Sequence, residues 1–71
     1  MNWIYVKTTE DVVMNINLDA VMCFYYKADT DLTVIEFTRA AYPAVYVKGD
    51  ITLNIRRLLN THNSYVSQIG V

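Results

Sequence analysis

Apolar and polar residues alternate along the first two thirds of the chain in five short blocks, each separated from the next by a polar cluster. A period of two is the mark of a half-buried β-strand. It predicts strands over residues 2–7, 12–17, 21–27, 32–38 and 44–48. Thr8-Thr9-Glu10-Asp11, Leu18-Asp19-Ala20, Ala28-Asp29-Thr30-Asp31 and Arg39 to Pro43 are the connections. Asp29 and Asp31 can close turns through their own side chains, which makes the third connection the strongest turn signal. Each strand follows its predecessor after a short link, so neighbours are expected to pair antiparallel.

After Gly49-Asp50 the period changes. Ile51, Ile55, Leu58 and Leu59 recur at helical spacing, with Asp50 placed as an N-cap and Arg56, Arg57 and Asn60 off the stripe. This predicts one helix over residues 51–60. Residues 64–71 fit either a tail or a short sixth strand. The expected fold is a single α+β domain: an antiparallel sheet of about five strands, with one C-terminal helix packed on one face.

Alternation also sorts side chains between faces. Ile4 and Val6, Met22, Phe24 and Tyr26, Ile35 and Phe37, and Val45 and Val47 share one face, assigned to the helix. Trp3, Tyr5, Tyr25, Val34 and Tyr46 share the other, with Lys7 and Lys48 at its margin. A helix of ten residues is only about 15 Å long. It can cover one face of a five-stranded sheet and not two. The aromatic face is therefore the candidate interface, since monomers seldom leave large contiguous apolar patches exposed. A sheet curled into a small barrel would bury both sets instead, and that arrangement stays open.

Composition sharpens this picture. The chain has 71 residues, 54% of them hydrophobic, which excludes disorder. A domain this small rarely draws more than about 3–5 kcal/mol from its core and usually needs a staple. Cys23 is the one cysteine, so no internal disulfide forms; one histidine, His62, and one cysteine cannot build a zinc site. Self-association, with a dimer as the expected form, or partner binding remains. Six basic and seven acidic residues give no global attraction to nucleic acid or anionic membrane. No signal-like or membrane-spanning stretch is present. The free cysteine fits a reducing cytoplasm, including a host cytoplasm if the gene is mobile.

Candidate chemistry is sparse. His62 has Thr61 and Ser64 nearby but no orienting carboxylate, so a helix-end histidine is expected rather than a general base. Cys23 lies mid-strand between Met22 and Phe24, where an inert thiol is expected. Asp29-Thr30-Asp31 lacks the glycine and distal glutamate of a calcium loop. No glycine-rich phosphate loop occurs. The expectation is a non-enzyme without a cofactor or a bound metal.

The stretch Ile4-Tyr5-Val6-Lys7, a turn, Val12-Val13-Met14-Asn15-Ile16 and Asn17-Leu18-Asp19-Ala20-Val21 resembles the start of LytTR-type DNA-binding domains, where a strand pair leads through an acidic step into another strand. The later hairpin, the helix and the tail Thr61-His62-Asn63-Ser64-Tyr65-Val66-Ser67 extend the likeness, which short FlbD-like proteins share at similar length. The family's closing arginine is Asn63 here and its final asparagine is Ser67, and the basic loops that meet phosphate are missing. The resemblance implies a small β-rich fold, and His62 and Ser64 are the positions that would carry over as DNA contacts.

Three functional expectations follow. The first is a non-catalytic interaction module that self-associates and binds a larger partner, as small inhibitors from phage or mobile elements do. The second is a LytTR-like nucleic-acid binder using Lys7, Lys27, Lys48, Arg56 and Arg57 with stacking tyrosines. The third is an oligomer that holds a small ligand between subunits.

Overall fold

A computed structural model describes residues 3–62, with side chains described as far as residue 60. Asn2, the alternatives for residues 64–71 and the side chains of Thr61, His62 and Ser64 lie outside the described residues. Five strands and one helix follow in chain order: β1 (Trp3–Lys7), β2 (Val13–Asn17), β3 (Val21–Lys27), β4 (Leu32–Phe37), β5 (Val45–Lys48) and α1 (Thr52–His62). The class is α+β with antiparallel pairing. The strands do not form one sheet, however. β1 and β2 make a two-stranded ribbon, and β3, β4 and β5 make a separate three-stranded sheet in that order.

The break falls at Leu18–Ala20, which forms one turn of 3₁₀ helix instead of a hairpin. The Asn17 side chain accepts the Asp19 N–H at 3.0 Å, and the Val21 N–H returns to the Leu18 carbonyl. Leu18, the apolar residue of this link, is buried. Burying it pulls the connection into the core and turns the chain through a corner, so β2 and β3 never pair. The Thr38 N–H reaches the Ala20 carbonyl at 3.0 Å and holds the corner against the end of β4.

The two sheets and the helix enclose one core. Val6 and Ile16 come from the ribbon, Leu18 from the corner, Ile35, Val45 and Val47 from the sheet and Ile55 from the helix. Ile4, Met14, Val21, Phe24, Phe37, Ile51 and Leu59 pack around them. Ile35 and Ile55 are fully buried, each contributing roughly 1.5–3 kcal/mol of transfer free energy. The alternation rule placed Ile4, Val6, Phe24, Ile35, Phe37, Val45 and Val47 on the core side, where they lie; Tyr26, assigned to the same face, is exposed instead, and Met22 and Val21 exchange roles. The pairing of β3 with β4 slips between Val21 and Cys23, leaving Met22 as the extra residue of a bulge. Val21 takes the inward position opposite Phe37, and Met22 is 61% exposed instead of facing the helix.

The turns carry their own reasons. In the β1–β2 turn, Thr8 Oγ1 accepts the N–H groups of Glu10 and Val12, and Asp11 takes a left-handed conformation at φ 64°. Asp31 does the same at φ 57° in the β3–β4 turn, a conformation that Asp adopts more readily than most residues. Gly49 follows β5 at φ 85°, where a side chain would be strained.

One buried hydroxyl fixes the helix to the sheet. Thr33, in the middle of β4, is fully buried; its Oγ1 donates to the Gly49 carbonyl at 2.6 Å and accepts the Ile51 N–H at 3.0 Å. Asp50 then accepts the Thr52 N–H at 3.0 Å and the Thr52 hydroxyl at 2.6 Å at the helix start. The leading apolar stripe enters the core at Ile51, Ile55 and Leu59, while Leu58 stays exposed.

Replacing Thr33 with valine keeps the shape but strips two backbone groups of their partner. Thr33→Val is expected to lower the unfolding free energy by about 1–3 kcal/mol in chemical denaturation; a variant as stable as the parent would contradict this linkage. The bonds from the Thr52 hydroxyl and N–H hold the Asp50 carboxyl below the usual carboxylate range. A depressed folded pKa stabilises above the unfolded value and loses its effect as pH falls through the folded one. The stability gap between the parent and Asp50→Ala should therefore be present at neutral pH and shrink below about pH 4. A gap independent of pH would argue against charge-assisted capping.

Candidate interaction surface

Because the inner faces of ribbon and sheet both line one core, their outer faces point away from it. The aromatic residues singled out in the sequence are divided between these faces. Trp3 and Tyr5 stand exposed on the ribbon, opposite Asn17 and Asn15. Tyr25, Val34 and Tyr46 form a single row across the three-stranded sheet, since Tyr25 pairs with Val34 and Val34 with Tyr46. They do not form a single patch on one sheet, because the corner at Leu18 separates the strands that carry them.

Within the row, Val34 is only 2% exposed while Tyr25 and Tyr46 are 42% and 44% exposed. Val34 is not part of the central core cluster. It sits on the outer face, with a tyrosine on each side and Leu32 and Glu36 two positions away along β4. The row thus presents two aromatic rings flanking a buried aliphatic residue, and Val34 supports the surface from beneath without being its contact tip.

The neighbouring rows are polar at their ends. On one side Lys27 pairs with Leu32 and Leu32 with Lys48; on the other Cys23 pairs with Glu36. Cys23 is half-buried on this outer face. The Tyr25 hydroxyl donates to Glu36 Oε2 at 2.8 Å, tying the aromatic row to its acidic end. That bond holds the Tyr25 phenol above its ordinary pKa, and a bond of 2.6 Å to Asp31 does the same for Tyr26.

The basic residues do not gather into one surface. Lys7 lies on the ribbon and pairs with Asp11 at 3.4 Å, Lys27 and Lys48 flank Leu32 on the outer sheet face, and Arg56 and Arg57 are exposed on α1. Among the described residues, no group of three or more His, Cys, Asp or Glu could hold a metal ion. No helix among them is long and apolar enough to cross a membrane.

Two openings flank the ribbon. A cleft of about 580 Å³ separates β2 from the segment leading into β5, lined by Val12, Met14, Ile16, Tyr42, Pro43 and Tyr46 among others. It is tied at one end by the Thr9 N–H on the Tyr46 carbonyl and at the other by the Thr38–Ala20 bond. Tyr42 stands at its rim, edge-on to Phe37 at 6.3 Å, with the Arg39 guanidinium 5.5 Å above its ring. A shallower groove runs between β1 and α1, past Trp3, Tyr5, Val47 and Leu58. Sequence reading passed over Tyr42 and the first cleft, because the gap exists only where β2 and β5 fail to pair.

Comparison with known protein families finds no matching family model, and comparisons with curated proteins and with solved structures find no match either. The likeness to LytTR-type domains rests on the sequence pattern alone.

The tyrosine bonds have a spectroscopic consequence. A raised folded pKa stabilises below the unfolded value, and the effect fades as pH rises through the folded one. In an alkaline titration of tyrosinate absorbance, Glu36→Gln should move one tyrosine down toward its ordinary midpoint and leave the others in place. An unchanged titration curve would show that Tyr25 and Glu36 do not interact in solution.

Proposed function

We propose that the chain is a non-catalytic protein-interaction module that self-associates and uses its apolar outer surface to engage a larger partner, as an inhibitor or adaptor. The observation that supports this reading most is the row Tyr25–Val34–Tyr46, two exposed tyrosines on either side of a buried valine, on a sheet face turned away from the core. Among the described residues, eleven large apolar or aromatic side chains are exposed against eight buried hydrophobic ones. Single exposed hydrophobes are ordinary on any surface. A row whose members are direct cross-strand partners is not a scatter, and tyrosine is favoured at interface hot spots because one ring supplies both apolar area and a hydroxyl. A small domain with a modest core also gains stability from any partner that binds only its folded form.

Sedimentation velocity from micromolar to millimolar protein tests the reading. The parent chain should sediment faster as concentration rises, and the double variant Trp3→Ser/Tyr46→Ser should lose that dependence. A strict monomer throughout, identical in both proteins, would contradict self-association.

A further inference from the structure

The three-stranded sheet ends at β3, whose outer edge pairs with no other strand among the described residues. One bond fixes the direction of its main-chain groups. The Tyr46 carbonyl accepts the Thr9 N–H, so it points away from β4. Main-chain groups alternate in direction along an antiparallel ladder, so those of Val34, the cross-strand partner of Tyr46, turn toward Tyr25 on β3. The N–H and C=O groups of Phe24 and Tyr26 therefore point off the open edge. The strand is seven residues long and carries no charge before Lys27. Natural sheets guard such an edge with charge, proline or a covering element. The other edges have neighbours: β1 runs beside α1, and β2 and β5 face one another across the cleft tied by the Thr9–Tyr46 bond.

We infer that the segment following α1, residues 64–71, covers this edge as a sixth strand. Of the five strands, α1 lies most extensively against β3, so the segment sets out from the element beside the open edge. Nine residues follow His62. Extended, they span about 30 Å, against about 23 Å for the whole of β3. Ser64-Tyr65-Val66-Ser67-Gln68-Ile69-Gly70-Val71 holds no proline and no charged residue. Alternation sets Tyr65, Ser67, Ile69 and Val71 on one face and Val66, Gln68 and Gly70 on the other. The first, more apolar face suits the inner side of the sheet, where Phe24 packs against the core. An uncharged strand is indifferent to Lys27, Asp29 and Asp31 at one end of β3 and to Glu36 and Arg39 at the other. Main-chain pairing and apolar contact supply the attraction. A strand tethered to the same chain also competes at an effective concentration near millimolar, ahead of a strand from another molecule. A covered edge withdraws β3 from pairing with other chains and leaves the outer sheet face, and the self-association proposed for it, unaffected.

Amide hydrogen exchange followed by NMR on the full chain, at two protein concentrations, tests the pairing. The Phe24 and Tyr26 amides should be protected to the same extent at both concentrations. Neighbouring residues of a strand donate to opposite sides, so Val66→Pro/Ser67→Pro removes a donor to β3 in either register. It should speed exchange at Phe24 and Tyr26 by about tenfold or more. Tyr65→Asp/Ile69→Asp keeps every donor but charges the apolar face, and should have the same effect. The Val34 and Ile35 amides, paired within the sheet, should stay protected in both variants and so report that the domain is folded. Phe24 and Tyr26 amides that exchange freely in the parent overturn the sixth strand. Protection that grows with concentration, or that both variants leave unchanged, assigns the edge to a second copy or another contact and overturns it as well. Variants that expose Asn15 and leave Phe24 and Tyr26 protected place the segment in the cleft beside β2, which is equally contrary.

Discussion

The fold turns on a corner three residues long. Leu18 has to be buried, and the Asn17 side chain and the Val21 N–H close a 3₁₀ turn around it. Had Leu18–Ala20 been a hairpin, β2 would pair with β3 and the strands would run on as one sheet, with one helix to cover a single face. The corner instead folds the ribbon back so that its apolar side joins the helix over the inner face of the three-stranded sheet. A chain with few residues to spend thereby closes a core from three directions. The consequence is that each sheet keeps one outer face, and that the aromatic residues on those faces are parted from one another.

Polar groups make the corner and the helix start specific. Thr33 is the one polar side chain buried among the described residues, and both its hydrogen-bonding roles are filled by backbone at Gly49 and Ile51. No buried side-chain nitrogen or oxygen among those residues lacks a partner. An apolar contact would tolerate a shift of α1 along the sheet; a hydroxyl that must both donate and accept does not. Asp31 strengthens the same end, because its carbonyl accepts the Gly49 N–H at 2.8 Å. The β3–β4 turn, the end of β5 and the helix start are in this way locked together.

Much of the architecture was legible along the chain. Five alternating blocks and one helical stripe name the elements, since periods of 2 and 3.6 are geometric necessities of strand and helix. Pairing within β1–β2, β3–β4 and β4–β5 follows from short links. The partition into two sheets was not legible, because a three-residue link reads alike as a hairpin or a corner; the only clue was an apolar Leu18 set between Asn17 and Asp19. The bulge at Met22 left no mark in the pattern, and it changed which of Val21 and Met22 faces inward. Alternation also says which face a side chain takes but not how far it is covered. Val34 shares a face with Tyr25 and Tyr46, yet it is buried while they are exposed. The cleft beside Tyr42 joins residues far apart in sequence and depends on strands that do not pair, so no local signal foretold it.

Contact with another protein is proposed for the outer face of the three-stranded sheet, and amide chemical shifts report on that face directly. In a dilution series of two-dimensional ¹H–¹⁵N spectra, the amides of Tyr25, Val34, Glu36, Tyr46 and Lys48 should move together with concentration while those of Tyr5, Ile16 and Ile55 stay still. Spectra that do not change with concentration, or changes gathered on β1 and α1 instead, would contradict it.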